Sequence, residues 1–377
     1  MNKKKIGIVT SNIYSAGGTT RSSLNLANEF LALGHEVAIY NVINRKKIAN
    51  HQFMEIQGWS NQSITITSIK NIIHDTNFDV VIITRESYFK LALVIKQANP
   101  QTIIVGEVHG PLSFITETRE SLSSNGIDLY RLASQRIGDS FEKKFNLKNY
   151  FTLNVSLLHI IESFADKPAE VTNNLLCYSR FEERSKKISK IINLARQLGS
   201  DYSVYLNGYG PEEATYKKIK EEQKITNVLI NQEMPNNYVY ISTSDYETLG
   251  YSIAEAIGKG KKTVLTKGLD YEVYHLYQEF NGIYWLTDTV DLAELKAFMA
   301  QPLTLTEYLE NQELYYTKFV INNYGQVFLS KMDQKLILRS KAYLPVLSKK
   351  EQRQIINKLE PNLLIKILTK INGKIRR

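Results

Sequence analysis

The chain reads as an α/β protein made of two Rossmann-like domains, and three observations predict it. Short β-branched runs alternate with longer helical patterns in both halves, as expected of parallel sheets covered by helices. A length of 377 residues exceeds one ordinary domain and suits two. Glycine turns follow several of the expected strands, the place where open parallel sheets receive ligands.

In the first half, strands are expected at 5–10, 36–42, 79–84, 102–108 and 150–155. In the second they recur at 174–179, 203–207, 227–231, 239–243, 263–266 and 283–286. The alternation lapses at 163–174, where Ala165-Asp166-Lys167-Pro168-Ala169-Glu170 brings small, charged and proline residues together. This places a first domain at 1–167 and a second at 168–330. From about Ile321 the pattern is helical, and 331–377 is expected as a basic helical tail with breaks at Pro345 and Pro361.

Apolar residues at 43% and charged residues at 23% match an ordinary globular protein. No stretch approaches the roughly 20 apolar residues of a membrane span. Lys3-Lys4-Lys5 is followed by only Ile6-Gly7-Ile8-Val9 before polar Thr10-Ser11-Asn12, which reads as a strand rather than a signal sequence. The single cysteine, Cys177, lies in an apolar run and is expected to be buried; it allows no internal disulfide, and the simplest compartment is the reducing cytoplasm.

The net charge of +9 is local. Between Pro345 and Arg377 nine basic residues face two acidic ones, an excess of +7. If Pro361 opens a final helix, Leu364, Ile367, Leu368, Ile371 and Ile375 share one face, and Lys366, Lys370, Lys374 and Arg377 share another. Such a helix packs back on the first domain, lies on an anionic membrane surface at the inner face of the cell membrane, or does both. It lacks interleaved aromatic residues, so nucleic acid is not an expected partner.

Four segments are candidates for chemistry. Ser15-Ala16-Gly17-Gly18-Thr19-Thr20-Arg21 follows the first strand and opens a helix carrying Leu24, Leu26, Ala27, Phe30 and Leu31. Its glycines let backbone approach a ligand, and the helix N-terminus offers N–H groups and a positive dipole end. The segment is a phosphate cradle or a ligand-free tight turn; it is neither the G-x-G-x-x-G fingerprint nor a P-loop. Asn207-Gly208-Tyr209-Gly210-Pro211 is a second glycine turn at a strand end, its proline suited to a first helical turn. Ser179-Arg180-Phe181-Glu182-Glu183-Arg184-Ser185-Lys186-Lys187 offers an arginine fork and lysine ammonium groups to a diphosphate, or is a solvated basic cluster.

The fourth segment is Asp245-Tyr246-Glu247-Thr248-Leu249-Gly250-Tyr251-Ser252-Ile253-Ala254-Glu255. Gly250 is expected to open a helix, with Glu247 in the loop before it and Glu255 on its second turn. Ionised carboxylates there would accept hydrogen bonds from ribose or hexose hydroxyls. His109, in Val108-His109-Gly110-Pro111, ends a strand of the first half. The other histidines, His35, His51, His74, His159 and His275, form no i, i+4 metal pair with it or one another, so no metal site is expected.

In this order the segments resemble the family-4 retaining glycosyltransferases, of the kind that build bacterial surface polysaccharide or wall teichoic acid, over most of the chain to about Ile337. The Gly34-His35-Glu36-Val37 turn and the run Glu255-Ala256-Ile257-Gly258-Lys259-Gly260 belong to the likeness. The family's glycine before the arginine is Ser179 here, and either Lys186 or Lys187 stands at its lysine; Lys187 frames the following helix best.

The resemblance implies a GT-B fold, with two parallel sheets facing an inter-domain cleft. It implies transfer of a sugar from a nucleotide-sugar, a UDP-sugar in preference, to a glycan, teichoic-acid-like or lipid-linked acceptor, without a metal. Gly17 and Gly18 would approach the donor diphosphate from one side, and Arg180 and Lys187 from the other, with Gly208 in the same donor-binding set. Amides of Leu249, Gly250 and Tyr251 would add to the phosphate site. Glu255 would hold ribose, Glu247 the transferred sugar, and His109 the sugar face near the anomeric carbon. Glu247, His109, Arg180 and Lys187 form the implied catalytic set. A non-catalytic scaffold of the same fold is the alternative.

Overall fold

A computed structural model of the chain describes all residues except 1, 15–16, 44–62, 76, 110, 124, 162–163, 337–343 and 360–377. The described residues fall in two compact units, one drawn from Met1–Ser156 and Ile321–Arg377, the other from Leu157–Val320. Each unit is built on its own parallel sheet.

The first sheet contains β1 (Lys5–Thr10), β2 (Glu36–Asn41), β3 (Thr65–Ser68), β4 (Val80–Ile83), β5 (Ile103–Val108), β6 (Leu129–Leu132) and β7 (Tyr150–Thr152), in the order β3-β2-β1-β4-β5-β6-β7. Every pairing is parallel, with Ile6 opposite Val37 on one side and Val80 on the other. The central strands are apolar throughout because helices cover both faces. Ile6, Ile8, Val80 and Ile82 enter a core with Leu24, Phe30 and Phe328, while Val9, Val81 and Ile83 enter another with Phe89, Tyr130 and Phe141.

The second sheet contains β8 (Asn174–Tyr178), β9 (Ser203–Asn207), β10 (Val228–Ile230), β11 (Val239–Ser242), β12 (Thr263–Thr266) and β13 (Ile283–Leu286), in the order β10-β9-β8-β11-β12-β13. Here too every pairing is parallel. Cys177 is buried in its core, and burial pushes the thiol up to about 12, leaving it inert.

The expected strands are all present, with ends trimmed by one to three residues where they differ. Two observed strands were not among them. β3 is a half-exposed, hydroxyl-rich edge strand without an apolar run. β6 reads Leu-Tyr-Arg-Leu, and its central arginine breaks the apolar pattern although all four residues are buried.

The unit boundaries also differ from 167/168 and 330/331. The helix Leu158–Ile161 belongs to the second unit, because Ile160 is fully buried against the helix Tyr251–Gly258. The helix Tyr324–Leu336 is continuous across 330/331, and Tyr324, Phe328, Leu329 and Met332 lie in the first unit's core. Phe328 packs edge-on against Phe30 and Phe151 at 5.6 and 5.3 Å. A further helix, Lys349–Leu359, buries Ile356 in the other core of the same unit. The amphipathic pattern beginning at Pro361 lies outside the described residues.

Candidate functional site

Both sheets reverse strand order at one point, between β1 and β4 in the first and between β8 and β11 in the second. Helices leave in opposite directions there, which opens a crevice at the carboxyl ends of the strands. The residues singled out from the sequence gather at or beside these two places.

In the second unit β8 runs into Ser179 and Arg180, followed by the helices Glu183–Lys186 and Ile188–Leu198. Lys187 joins them at φ 51°, ψ 39°, a left-handed conformation that a lysine adopts only when its surroundings hold it. The holding group is Thr243 at the end of β11. Its hydroxyl reaches the carbonyl oxygens of both Lys186 and Lys187, at 3.1 and 2.9 Å. The Asp245 N–H donates to the Ser185 carbonyl at 2.8 Å. On the far side, Leu269 N–H and Thr266 Oγ1 donate to the carbonyls of Asp245 and Ser244, at 2.7 and 3.0 Å. The loop after β11 is therefore fixed by both neighbouring strand ends.

This clamp sets two lysines against two carboxylates. Lys186 Nζ donates to Glu247 Oε1, which also accepts from Ser244 Oγ at 3.0 Å. Lys187 Nζ lies 3.6 Å from Asp245 Oδ2. All four side chains are half-buried, so the charges are oriented yet reachable. Arg180 is exposed beside Tyr209, which is 51% exposed. Below the cluster, burial pushes the Tyr240 and Tyr277 phenols well up and keeps them neutral. They donate to the carbonyls of Tyr178 and Leu249 at 3.3 and 2.9 Å.

Gly250 is the N-cap of the helix Tyr251–Gly258, and no side chain caps that end. Glu247 precedes the helix and Glu255 sits on its second turn. Glu255 faces His159 of the helix Leu158–Ile161, Oε1 to Nε2 3.3 Å, and His159 packs edge-on against Tyr251. Leu249 is buried.

The glycine turn after β9 has a structural cause of its own. A Cβ on Gly208 would stand 1.8 Å from the Ser179 carbonyl oxygen, and one on Gly210 2.2 Å from that of Phe181. Backbone bonds from Ser179 N to Asn207 O and from Phe181 N to Tyr209 O zip the two loops together. Glycine here permits close approach of two backbones. Pro211 falls before the N-cap Glu212, outside the helix Glu213–Glu222.

In the first unit Gly17 is the N-cap of the helix Gly18–Ala32, at φ 149°, ψ 158°, a region essentially confined to glycine. No side chain caps this end either. Two strands along the same edge, β5 ends at Val108 and His109 follows it directly. His109 Nε2 is 2.7 Å from Glu107 Oε2, and Glu107 Oε1 is 2.8 Å from Arg131 Nε on β6. Burial pushes the Glu107 carboxyl up, but the Arg131 guanidinium and the His109 ring outweigh it and hold the group below the usual carboxylate range.

The structure thus brings Arg180, Lys187, Glu247, Leu249, Gly250, Tyr251 and Glu255 to one sheet edge with Gly208, and Gly17, Gly18 and His109 to the other sheet's edge. Sequence reasoning missed Glu107, Arg131, His159 and the engagement of Lys186 and Asp245. Charged residues inside otherwise apolar strands signalled the first two; nothing in a four-residue helix signalled His159.

Among the described residues, no three histidine, cysteine or acidic side chains are grouped to hold a metal ion, and no helix is long and apolar enough to cross a membrane.

No protein-family model and no curated protein sequence matches the chain. Solved structures do. Anabaena Alr3699/HepE in complex with UDP and glucose is similar with a TM-score of 0.69 at 13% identity, over 88% of this chain and 100% of that one. A mutant of S. aureus TarM in complex with Fondaparinux, alpha-GlcNAc-glycerol and UDP is similar with a TM-score of 0.66 at 12% identity, over 88% and 99%. A glycosyltransferase from Rickettsia africae has a TM-score of 0.64 at 12% identity, over 89% and 99%. With two parallel sheets, each flanked by helices, and this likeness over nearly the whole chain, the protein has the GT-B fold.

Proposed function

We propose that the chain is a glycosyltransferase that moves a sugar from a nucleotide-sugar donor, a UDP-sugar in preference, to a glycan, teichoic-acid-like or lipid-linked acceptor in cell-surface polymer synthesis. The observation that carries the reading is the clamped set Lys186–Glu247 and Lys187–Asp245 at the switch point of the second sheet. Breaking a glycosyl–phosphate bond sheds negative charge onto the diphosphate. Oriented ammonium groups and the uncapped helix N-terminus at Gly250 suit that charge, and groups fixed in advance stabilise it without reorganising. Carboxylates beside them accept hydroxyl donors of ribose and hexose. The UDP and UDP-glucose held by the Anabaena protein of the same fold support the choice of base.

The same contacts support two finer points. Glu247 is already engaged by Lys186 and Ser244, an arrangement suited to holding sugar hydroxyls rather than attacking carbon. We read the transfer as retaining, as the family resemblance implies, and the engaged Glu247 then favours attack on the face that the diphosphate leaves over a glycosyl-enzyme intermediate. Asp245 and Glu247 each face an ammonium group, which takes the place a divalent ion would need, and we read the reaction as metal-independent. The basic sequence 361–377 would keep the enzyme peripheral to an anionic cytoplasmic surface.

UDP release from UDP-glucose tests the reading. Wild-type chain should turn the donor over, while folded Glu247→Gln and Lys186→Ala should not. Binding without turnover in all three, with glycan and lipid-linked acceptors supplied, would instead mark a scaffold.

A further inference from the structure

The three-residue chain at the edge of the first sheet has a directional consequence. Glu107 is 1% exposed and Arg131 2%, so neither is a surface charge. Each has a fixed place. Arg131 forms an ion pair with Glu107, Nε to Oε1 2.8 Å, and donates through Nη1 to the Leu153 carbonyl at 2.8 Å, which ties the guanidinium to the backbone after β7. Glu107 spends its other oxygen on His109 Nε2 at 2.7 Å. Its carboxyl is held below the usual range, hence ionised at neutral pH, and an ionised carboxylate only accepts. Nε2 must therefore carry a proton. In a neutral imidazole the other nitrogen is then the acceptor. The ring remains 17% exposed.

We infer that Glu107 and Arg131 are positioning residues that hold His109 as its Nε2–H tautomer and leave Nδ1 as the ring atom offered to a donor-sugar hydroxyl. The inference rests on the reading of His109 as part of a sugar site. A hydroxyl donates to Nδ1 in this tautomer, whereas the other tautomer would turn Nδ1 into a donor and change which sugar atom it can meet. Tyr324 feels both charges of the pair, and Glu29 in turn lies near Tyr324. Burial pushes both up, so Tyr324 stays neutral.

The test is ¹⁵N-imidazole correlation spectroscopy of the full chain, followed upward in pH until the His109 signals stop moving, with His109 assigned by its loss in His109→Gln. Wild type should show Nε2 protonated and Nδ1 bare. In Glu107→Leu/Arg131→Met, which removes both buried charges together, the Nδ1–H form should appear. An Nδ1–H tautomer in the wild type, or unmixed Nε2–H in the folded double variant, overturns the inference; if the double variant does not fold, the wild-type spectrum decides alone. With UDP-glucose as probe, the double variant should lose about tenfold in kcat while KM stays within about twofold. A fall confined to KM also overturns it. Failure of the wild type to bind UDP-glucose, with the tautomer as expected, counts against the glycosyltransferase reading and leaves the tautomer assignment in place.

Discussion

The two sheet edges solve different problems with the same topology. At the switch point of the second sheet the chain sets charge against charge in reach of solvent: Lys186 with Glu247, Lys187 with Asp245, Arg180 nearby. At that of the first, the helix opens on uncharged Gly17, Gly18, Thr19 and Thr20, and the charged set beside it, Glu107 with Arg131, is buried behind a single presented histidine. One edge is built to balance charge, the other to let backbone approach and to aim one ring.

The sharpest way to break this contrast is to remove charge from the second edge. Lys186→Ala and Glu247→Gln should each lower turnover of UDP-glucose by about 10²–10³-fold, measured as UDP release, while circular dichroism stays native. Equal turnover would mean the charges are surface ornament.

Next in size are the glycines, which separate close packing from ligand approach. Gly208→Ala drives a Cβ into the Ser179 carbonyl and should cost about 3 kcal/mol in urea unfolding. Gly17→Ala, which must leave φ 149°, should cost about 2 kcal/mol. If only the first loop serves a ligand directly, saturating UDP should stabilise Gly208→Ala as much as wild type and Gly17→Ala by less.

Smaller still is the clamp. Thr243→Val removes the hydroxyl held by the carbonyls of Lys186 and Lys187 and should cost about 1 kcal/mol, with a loss of donor affinity that Ser203→Ala, on the same sheet but away from the site, does not share.

The smallest effect is a pH slope in the first unit. Glu107 has its folded value below its unfolded one. Its contribution is therefore whole above the usual range of about 4.3 and is lost as pH falls through the folded value. Urea unfolding between neutral and acid pH should lose less stability on the acid side in Glu107→Leu/Arg131→Met than in wild type.

How far the sequence could be read follows the same division. Strands β1, β9, β12 and β13 have the expected ends because each is a compact apolar run between turn residues. β6 was hidden because Arg131 makes it look polar until Glu107, distant in sequence, neutralises it. Glu247, Gly250 and Glu255 fell where a loop-to-helix pattern puts them, since local spacing determines them. The partner of Glu247 did not. Either Lys186 or Lys187 fitted the spacing, and the left-handed turn at Lys187, set by Thr243 from another strand, sends Lys186 to Glu247 and Lys187 to Asp245. The unit boundary was misplaced for a like reason: Pro168 marks a break in the chain, but the packing of Ile160 decides which core its neighbours join.

The account stands on the second edge being a nucleoside diphosphate site, and calorimetric titration of the full chain with UDP addresses that directly. It predicts saturable binding that weakens by at least about tenfold, near 1.4 kcal/mol, in both Lys186→Ala and Lys187→Ala and is unchanged in Lys349→Ala. Binding of equal strength in all four proteins, or no binding of UDP, GDP or ADP to the wild type, would contradict it.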